Sequence, residues 1–104
     1  MIADKVNIGC YKYTVEVSDK VLLLNNERCR GLIDYDRAIM SIADESYQAK
    51  QRQEQTWWHE VIHGIIHDRN IDLKDDEETV IDQLAKSLLA LCKDNKFMLP
   101  GQTL

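Results

Sequence analysis

The sequence contains no long apolar run and no cluster of basic residues. No segment approaches the roughly 18 consecutive apolar residues of a membrane-spanning helix, and the start of the chain lacks the basic residues and apolar stretch of a secretory signal. Lys and Arg number 13 against 18 Asp and Glu, a formal net charge of −5. A nucleic-acid-binding face needs clustered Lys and Arg. We therefore expect neither a membrane nor a nucleic acid among the partners of this chain.

Cysteine is also scarce, and its three occurrences show no C-x-x-C spacing. Cys10, Cys29 and Cys92 are odd in number, which argues against a disulfide framework and favours a reducing compartment. We expect a cytoplasmic protein. The 104 residues, 44% hydrophobic and 30% charged, have the composition of a single small domain spanning residues 1–104.

Residues 1–44 alternate between apolar and polar side chains, which is typical of β-strands. The alternation is interrupted at residues 9–10, by Asn-Asn at residues 25–26, and at residues 35–37. Interruptions of this kind between strand-like segments indicate hairpins. This half of the chain predicts a small, mainly antiparallel sheet.

Helical periodicity replaces the alternation over residues 45–95. A first helix is expected from about residue 46 to residue 68, with Asn70 as a suitable end, and a second from the acidic link at 72–77 to about residue 94. The apolar stripe of the first helix comprises Trp58, Val61, Ile62, Ile65 and Ile66, and that of the second comprises Val80, Ile81, Leu84, Leu88, Leu91 and Cys92. The expected fold is therefore α+β, a sheet followed by two packed helices, with residues 96–104 as a tail.

The first helix carries the run His59-Glu60-Val61-Ile62-His63. Side chains four positions apart lie on one face of a helix, so His59 and His63 can both bind one tetrahedral zinc ion at about 2.0–2.1 Å. Glu60 is turned by about 100° and can reach a metal-bound water without binding the metal. It can then act as the general base of a hydrolytic reaction. The run predicts one zinc ion per chain.

A catalytic zinc site needs a third protein ligand and leaves the fourth position to water. Glu78 lies beside the stripe of the second helix, and packing of the two stripes would bring it to the histidines. Asp82, one turn further on, is expected to accept the N–H of a ligand imidazole. Glu77 points about 100° away from Glu78 and is the second choice as ligand.

Several alternatives remain open from the sequence. His67 also lies on the ligand face, but in a straight helix it is ~12 Å from the first histidine of the run. Asp75 and Glu78 could instead form a capping box, which would leave the zinc ion with two ligands. Tyr35, Tyr47 and His67 are candidates for stabilising an oxyanion or orienting a substrate.

The H-E-x-x-H run followed by Glu78-x-x-x-Asp82 resembles the gluzincin pattern. More closely, residues 30–95 are similar to small metallopeptidase-like proteins of phages and prophages related to the ImmA/IrrE family. In these proteins a glycine and short strands precede the motif helix, and a ligand helix follows it. The resemblance implies zinc-dependent endopeptidase activity, with helix-turn-helix repressors as substrates in some members. It also implies a sheet edge that holds an extended peptide, and the host cytoplasm as the location of a phage-encoded protein.

Three functions are thus compatible with the sequence. The first is a zinc peptidase that hydrolyses a peptide or protein substrate, with a repressor as one candidate. The second is a non-catalytic, zinc-stabilised module of phage or prophage origin that binds a host or phage protein. The third is a metal-free α+β domain.

Overall fold

The computed structural model describes residues 2–95. These residues form a sheet region followed by two helices, which confirms the expected α+β class. The elements are β1 (Lys5–Ile8), β2 (Tyr11–Ser18), β3 (Leu22–Leu24), β4 (Glu27–Cys29), β5 (Gly31–Asp34), β6 (Ile39–Ala43), α1 (Lys50–Arg69) and α2 (Glu77–Asp94). The tail expected at 96–104 lies outside the described residues.

The main sheet has four strands in the order β1-β2-β6-β5. The β1–β2 and β5–β6 hairpins are antiparallel, and the two hairpins are joined by the parallel pair β2–β6. Gly9, between β1 and β2, has a φ of 61°, which a glycine adopts without steric cost. Because β5 pairs only with β6 in this sheet, β5 is an edge strand beside α1.

A second, two-stranded sheet is formed by β3 and β4. Asn25 and Asn26 both have positive φ values, 53° and 66°, as in the tight turns that match the twist of a hairpin. The Asn-Asn pair therefore ends the apolar run as expected. Leu23 and Leu24 nevertheless point largely into solvent. This hairpin belongs to the connection between the parallel strands β2 and β6.

Helix α1 is packed between the sheet and α2. Its Val61 joins a core that includes the fully buried Met40 and Ile42 of β6. Gly64 allows a close approach, because a Cβ added there would lie 2.7 Å from Ile8 Cδ1 and 3.2 Å from Ile33 Cδ1. A second cluster fixes α1 to α2 through Ile62, Ile66, Ile81 and Ala85.

The helix–helix contact differs in detail from the expected stripes. Ile65, Leu84 and Leu91 are exposed, at 42%, 46% and 42% of their surface. Ala85, which has a small side chain and was not in the expected stripe, is completely buried beside Ile81. The contact is therefore centred on Ile81 and Ala85, where a small residue lets the helices approach.

The helix starts also differ from expectation. Helix α1 begins at Lys50, several residues after the expected start, and its N-cap residue Ala49 provides no side-chain hydrogen bond. The N-cap of α2 is Asp76, whose Oδ1 accepts the backbone N–H of Glu78 at 3.2 Å. The expected alternative of a capping box from Asp75 to Glu78 is thus wrong, because the cap lies one residue later.

Candidate metal centre

His59 and His63 lie on one face of α1, as their spacing requires. Their ring centroids are 4.9 Å apart, and both side chains are largely buried. The helix continues regularly past them and ends at Asn70, which has the left-handed conformation expected of a helix end. The two imidazoles therefore face the same space between α1 and α2.

The Glu78 carboxylate faces both imidazoles from the first turn of α2. Its Oε2 atom lies 3.0 Å from His59 Nε2, and its Oε1 atom lies 2.7 Å from His63 Nε2. One donor atom from each of the three residues lies within 4.8 Å of the other two. In a tetrahedral zinc site with bonds of about 2.0–2.1 Å, neighbouring ligand atoms are about 3.3 Å apart. The residues therefore fit zinc, although a His–Glu ion-pair cluster has the same geometry, and metal binding stays a prediction.

A second carboxylate from α2 contacts the other side of one imidazole. Glu77 Oε2 lies 3.1 Å from His63 Nδ1. When Nδ1 carries the proton and donates a hydrogen bond to Glu77, the Nε2 lone pair is available to a metal ion. Glu77 thus has the orienting position that sequence analysis expected of Asp82.

Asp82 has a different partner. Its Oδ2 atom pairs with Lys86 Nζ at 3.1 Å, one turn further along α2, and within residues 2–95 it forms no hydrogen bond with an imidazole. The reason lies in the rotation of α2. Glu77 precedes the fully buried Ile81 by one turn and therefore continues the buried face toward α1, whereas Asp82 is turned about 100° away from Ile81.

Glu60 is buried between α1 and β5. Only 6% of its surface is exposed, and within the described part of the chain its carboxylate has no hydrogen-bond or ion-pair partner. Burial, followed by the negative charge of Glu78, raises the pKa of Glu60 from 4.5 to about 8. A Cβ added at Gly31 of β5 would lie only 2.9 Å from Glu60 Oε2. The absence of a side chain at Gly31 therefore makes the room that this carboxylate occupies.

These groups open into a cavity of about 850 Å³ between the helices and the β3–β5 segment. His59, Glu60, His63, Glu78 and Asp82 all contribute to its lining. The other lining residues are Val21, Leu22, Leu24, Arg28, Cys29, Arg30, Gly31, Leu32, Ile33, Tyr35, Tyr47, Arg52, Gln55 and Thr56. The donor set and the buried carboxylate are therefore accessible to a molecule of peptide size.

The three other candidate residues form no hydrogen bond with the donor set within residues 2–95. Tyr35 is stacked on His67, with ring centroids 3.8 Å apart and an interplanar angle of 9°. Burial, followed by the charge of Glu60, raises the pKa of Tyr35 to about 12, so its hydroxyl stays protonated at neutral pH. Tyr47 lines the cavity and lies under the guanidinium of Arg28. Of the alternatives, Tyr35 and Tyr47 thus face the cavity, and His67 supports Tyr35.

One polar network near the cavity was not expected from the sequence. Thr56 Oγ1 donates a hydrogen bond to Gln48 Oε1 at 2.9 Å, and Gln48 Nε2 donates to the carbonyl oxygens of Ala43 and Arg30 at 2.7 and 3.2 Å. These bonds fix the start of α1 to the ends of β6 and β4. Isolated Gln and Thr residues form no recognisable motif, so no sequence signal pointed to them.

No helix within residues 2–95 has the length and apolar character needed to cross a membrane.

Similarity to known proteins adds no constraint on function. Comparisons of the chain with protein-family models, with curated proteins and with solved structures find no match.

Proposed function

We propose that this protein is a zinc-dependent endopeptidase in which His59, His63 and Glu78 hold the metal and Glu60 is the general base. The burial of Glu60 without a polar partner, beside this donor set in an open cavity, carries the proposal. An unpaired buried carboxylate is costly, and such groups are concentrated at functional sites. A zinc ion with a purely structural role would not require an unpaired carboxylate beside its ligands.

The protein side of the chemistry follows from the positions of the side chains. Zinc, when bound, supplies Lewis-acid activation of a water molecule. A cation on the neighbouring histidines favours the ionised form of Glu60, which can then accept a proton and return it to the leaving amine. Tyr35 faces the cavity with a protonated hydroxyl and is available to donate a hydrogen bond to a developing oxyanion.

A peptide substrate is supported by the edge strand. In β5, Gly31, Leu32 and Ile33 line the cavity, and the strand has β6 on only one side within the main sheet. An extended peptide can add to such an edge through main-chain hydrogen bonds. We propose a regulatory protein, with a repressor as one candidate, as the substrate. The three free cysteines are compatible with action in the cytoplasm, which would be the host cytoplasm for a phage-encoded protein.

The second candidate function is that of a zinc-stabilised module that binds another protein without cleaving it. It is favoured by the position of Glu78, which connects α2 to both histidines of α1. Its side chain is 65% exposed, so the contacts between the helices lie at the surface of the protein. A metal ion at this position would cross-link the helix pair and so stabilise a small fold.

The distinguishing experiment compares the wild-type protein with Glu60→Gln after reconstitution with zinc. Elemental analysis should give one zinc ion per chain for both proteins. Incubation with randomised peptide pools, followed by mass spectrometry, should show cleavage by the wild type and a rate roughly 10²–10⁴-fold lower for Glu60→Gln. Glu16→Gln, at an exposed position of β2, is the control and should cleave as the wild type does.

Each alternative predicts a different result. Bound zinc without cleavage by the wild type would favour the protein-binding module, and the absence of zinc after reconstitution would favour the metal-free domain. Equal turnover by Glu60→Gln and the wild type would remove Glu60 from the mechanism.

A further inference from the structure

We propose that the cavity contains a subsite for a carboxylate group of the substrate, formed by Arg28, Arg30 and Arg52. This inference rests on the proposed peptidase function and specifies its substrate class. The chain has five arginines, and three of them line this cavity. They come from two parts of the chain, since Arg28 lies on β4 with Arg30 directly after that strand, and Arg52 lies in the first turn of α1.

The subsite lies at a definable distance from the metal centre. Arg52, Thr56, His59 and His63 recur at helical spacing and all line the cavity, so they follow one face of α1. Arg52 and His59 are seven positions apart, which corresponds to roughly 10 Å along a helix axis. An extended peptide advances about 3.3 Å per residue. The carboxylate would therefore belong to a residue about three positions from the scissile bond.

The charges of these arginines are not neutralised by the protein. Within residues 2–95 none of the three has a carboxylate partner within ion-pair distance, and the first turn of α1 contains no acidic residue. The acidic residues of the cavity are engaged elsewhere, because Glu60 and Glu78 belong to the metal centre and Asp82 pairs with Lys86. The three arginines are exposed to solvent, so a positive region is available at the mouth of the cavity in a protein whose net charge is −5.

The surroundings restrain the side chain of one arginine and the backbone of a second. The Arg28 guanidinium lies 5.5 Å from the centroid of the Tyr47 ring, a cation–π arrangement. The backbone carbonyl of Arg30 accepts hydrogen bonds from Gln48 Nε2 at 3.2 Å and from the N–H of Ala43 at 2.8 Å. The cation–π contact lowers the entropy cost of ordering the Arg28 side chain around an anion, and guanidinium groups suit carboxylates because they donate two parallel hydrogen bonds.

The neighbouring wall of the cavity indicates what surrounds the carboxylate. It is apolar and is formed by Val21, Leu22, Leu24, Leu32 and Ile33. We therefore infer an extended substrate segment in which an acidic residue is flanked by apolar side chains. A free C-terminal carboxylate supplies the same chemistry at the end of a chain, and the experiment below separates the two sources.

The test measures binding, so that it does not depend on turnover. Fluorescent peptide pools carrying Glu, Gln or Lys at one fixed position, each with a free or an amidated C-terminus, are titrated with zinc-loaded Glu60→Gln protein and followed by anisotropy. At one position the Glu pool should bind about tenfold more tightly than the Gln pool, because a hydrogen bond to a charged group is lost. Affinity that is lost when the C-terminus is amidated, whichever residue stands at the fixed position, would assign the subsite to a chain terminus.

Arginine variants made in the same Glu60→Gln background identify the subsite. Arg52→Gln should weaken the preference for Glu, and Arg37→Gln, an exposed arginine outside the cavity, should leave it intact. Arg52→Glu should weaken binding of the Glu pool and strengthen binding of the Lys pool, and misfolding would not produce these opposite shifts. The proposal would be overturned if affinity depended neither on Glu nor on a free C-terminus in any pool, or if such a dependence persisted unchanged in Arg52→Gln.

The two proposals can fail separately. A preference for Glu that depends on Arg52, without any cleavage by the wild type, would contradict the peptidase and retain the subsite. Cleavage by the wild type without a preference for Glu would retain the peptidase and contradict the subsite.

Discussion

At the scale of single residues, the buried carboxylate of Glu60 depends on the absence of a side chain opposite it. A Cβ at position 31 would lie 2.9 Å from Glu60 Oε2 and 2.7 Å from Thr56 Cγ2. We expect Gly31→Ala to displace the base and to lower peptide turnover by roughly 10²-fold, because small displacements of a catalytic group are costly. Zinc content should stay at one ion per chain. Steady-state kinetics and elemental analysis test this, and wild-type turnover would contradict it.

The raised pKa of Glu60 also predicts how the metal-free protein responds to pH. Its pKa is about 8 in the folded protein, against 4.5 for the ordinary group. Between these values the unfolded chain has already released the proton that the folded chain retains, so the free energy of unfolding should fall as pH rises. The slope contributed by this residue is at most about 1.4 kcal/mol per pH unit.

Urea denaturation of chelated protein at several pH values measures this effect. The Glu60→Gln protein has no titratable group at this position. Its free energy of unfolding should therefore fall less steeply with pH than that of the wild type. All other titratable groups are the same in both proteins, so their contribution largely cancels in the comparison. Identical pH profiles for the two proteins would contradict a buried, proton-retaining Glu60.

Sequence spacing predicted the relative positions of single residues most directly where they share a helix. The neighbouring imidazoles of His59 and His63 follow directly from a separation of four positions. The approach of Glu78 to the two histidines could also be predicted, because packing of the apolar stripes brings an acidic residue beside one stripe to the opposite helix. The orienting position of Glu77, which was expected for Asp82, did not follow from the sequence, because it depends on the rotation of α2 about its axis. That rotation is set by the burial of Ala85, and an apolar pattern gives a small residue little weight.

At the scale of elements, the first turn of α2 contributes both a ligand candidate and its orienting neighbour. We expect Glu77→Ala to weaken zinc binding about 10–100-fold, because the His63 ring then loses the acceptor that fixes its protonation. Asp82→Ala is a matched control on the same helix, since its carboxylate pairs with Lys86, and it should change zinc affinity little. Competition with a chelating dye measures both affinities, and a larger loss in Asp82→Ala would reverse the assignment.

Most elements could be predicted from local signals. The hairpins at residues 9–10 and 35–37 follow from interrupted alternation, and the end of α1 follows from Asn70. The parallel pairing of β2 with β6 could not be predicted, because strand alternation is the same in parallel and antiparallel sheets. The start of α1 was placed too early, since Ala49 provides no side-chain cap that would mark it.

At the scale of the whole molecule, a bound metal should act as a cross-link between α1 and α2. Binding only to the folded state stabilises a protein by about 2.7 kcal/mol when free zinc exceeds Kd 100-fold. For a domain of this size that corresponds to a rise in Tm of about 10–20 °C. Differential scanning fluorimetry with zinc and with a chelator measures the shift. Glu78→Ala should lose most of it, and Asp75→Ala, an acidic residue outside the donor set, should retain it.

The positions of the donor residues along the chain also determine the order in which the site can assemble. His59 and Glu78 are only 19 residues apart, on consecutive helices, and loops of such length close in well under a millisecond. The cover over Glu60 requires β5, whose place in the sheet depends on the parallel pairing of β6 with β2, and parallel pairs form slowly. We therefore expect a denatured chain that refolds in the presence of zinc to bind the metal before Glu60 is shielded from water, so that the proposed hydrolytic activity would be the last property to return.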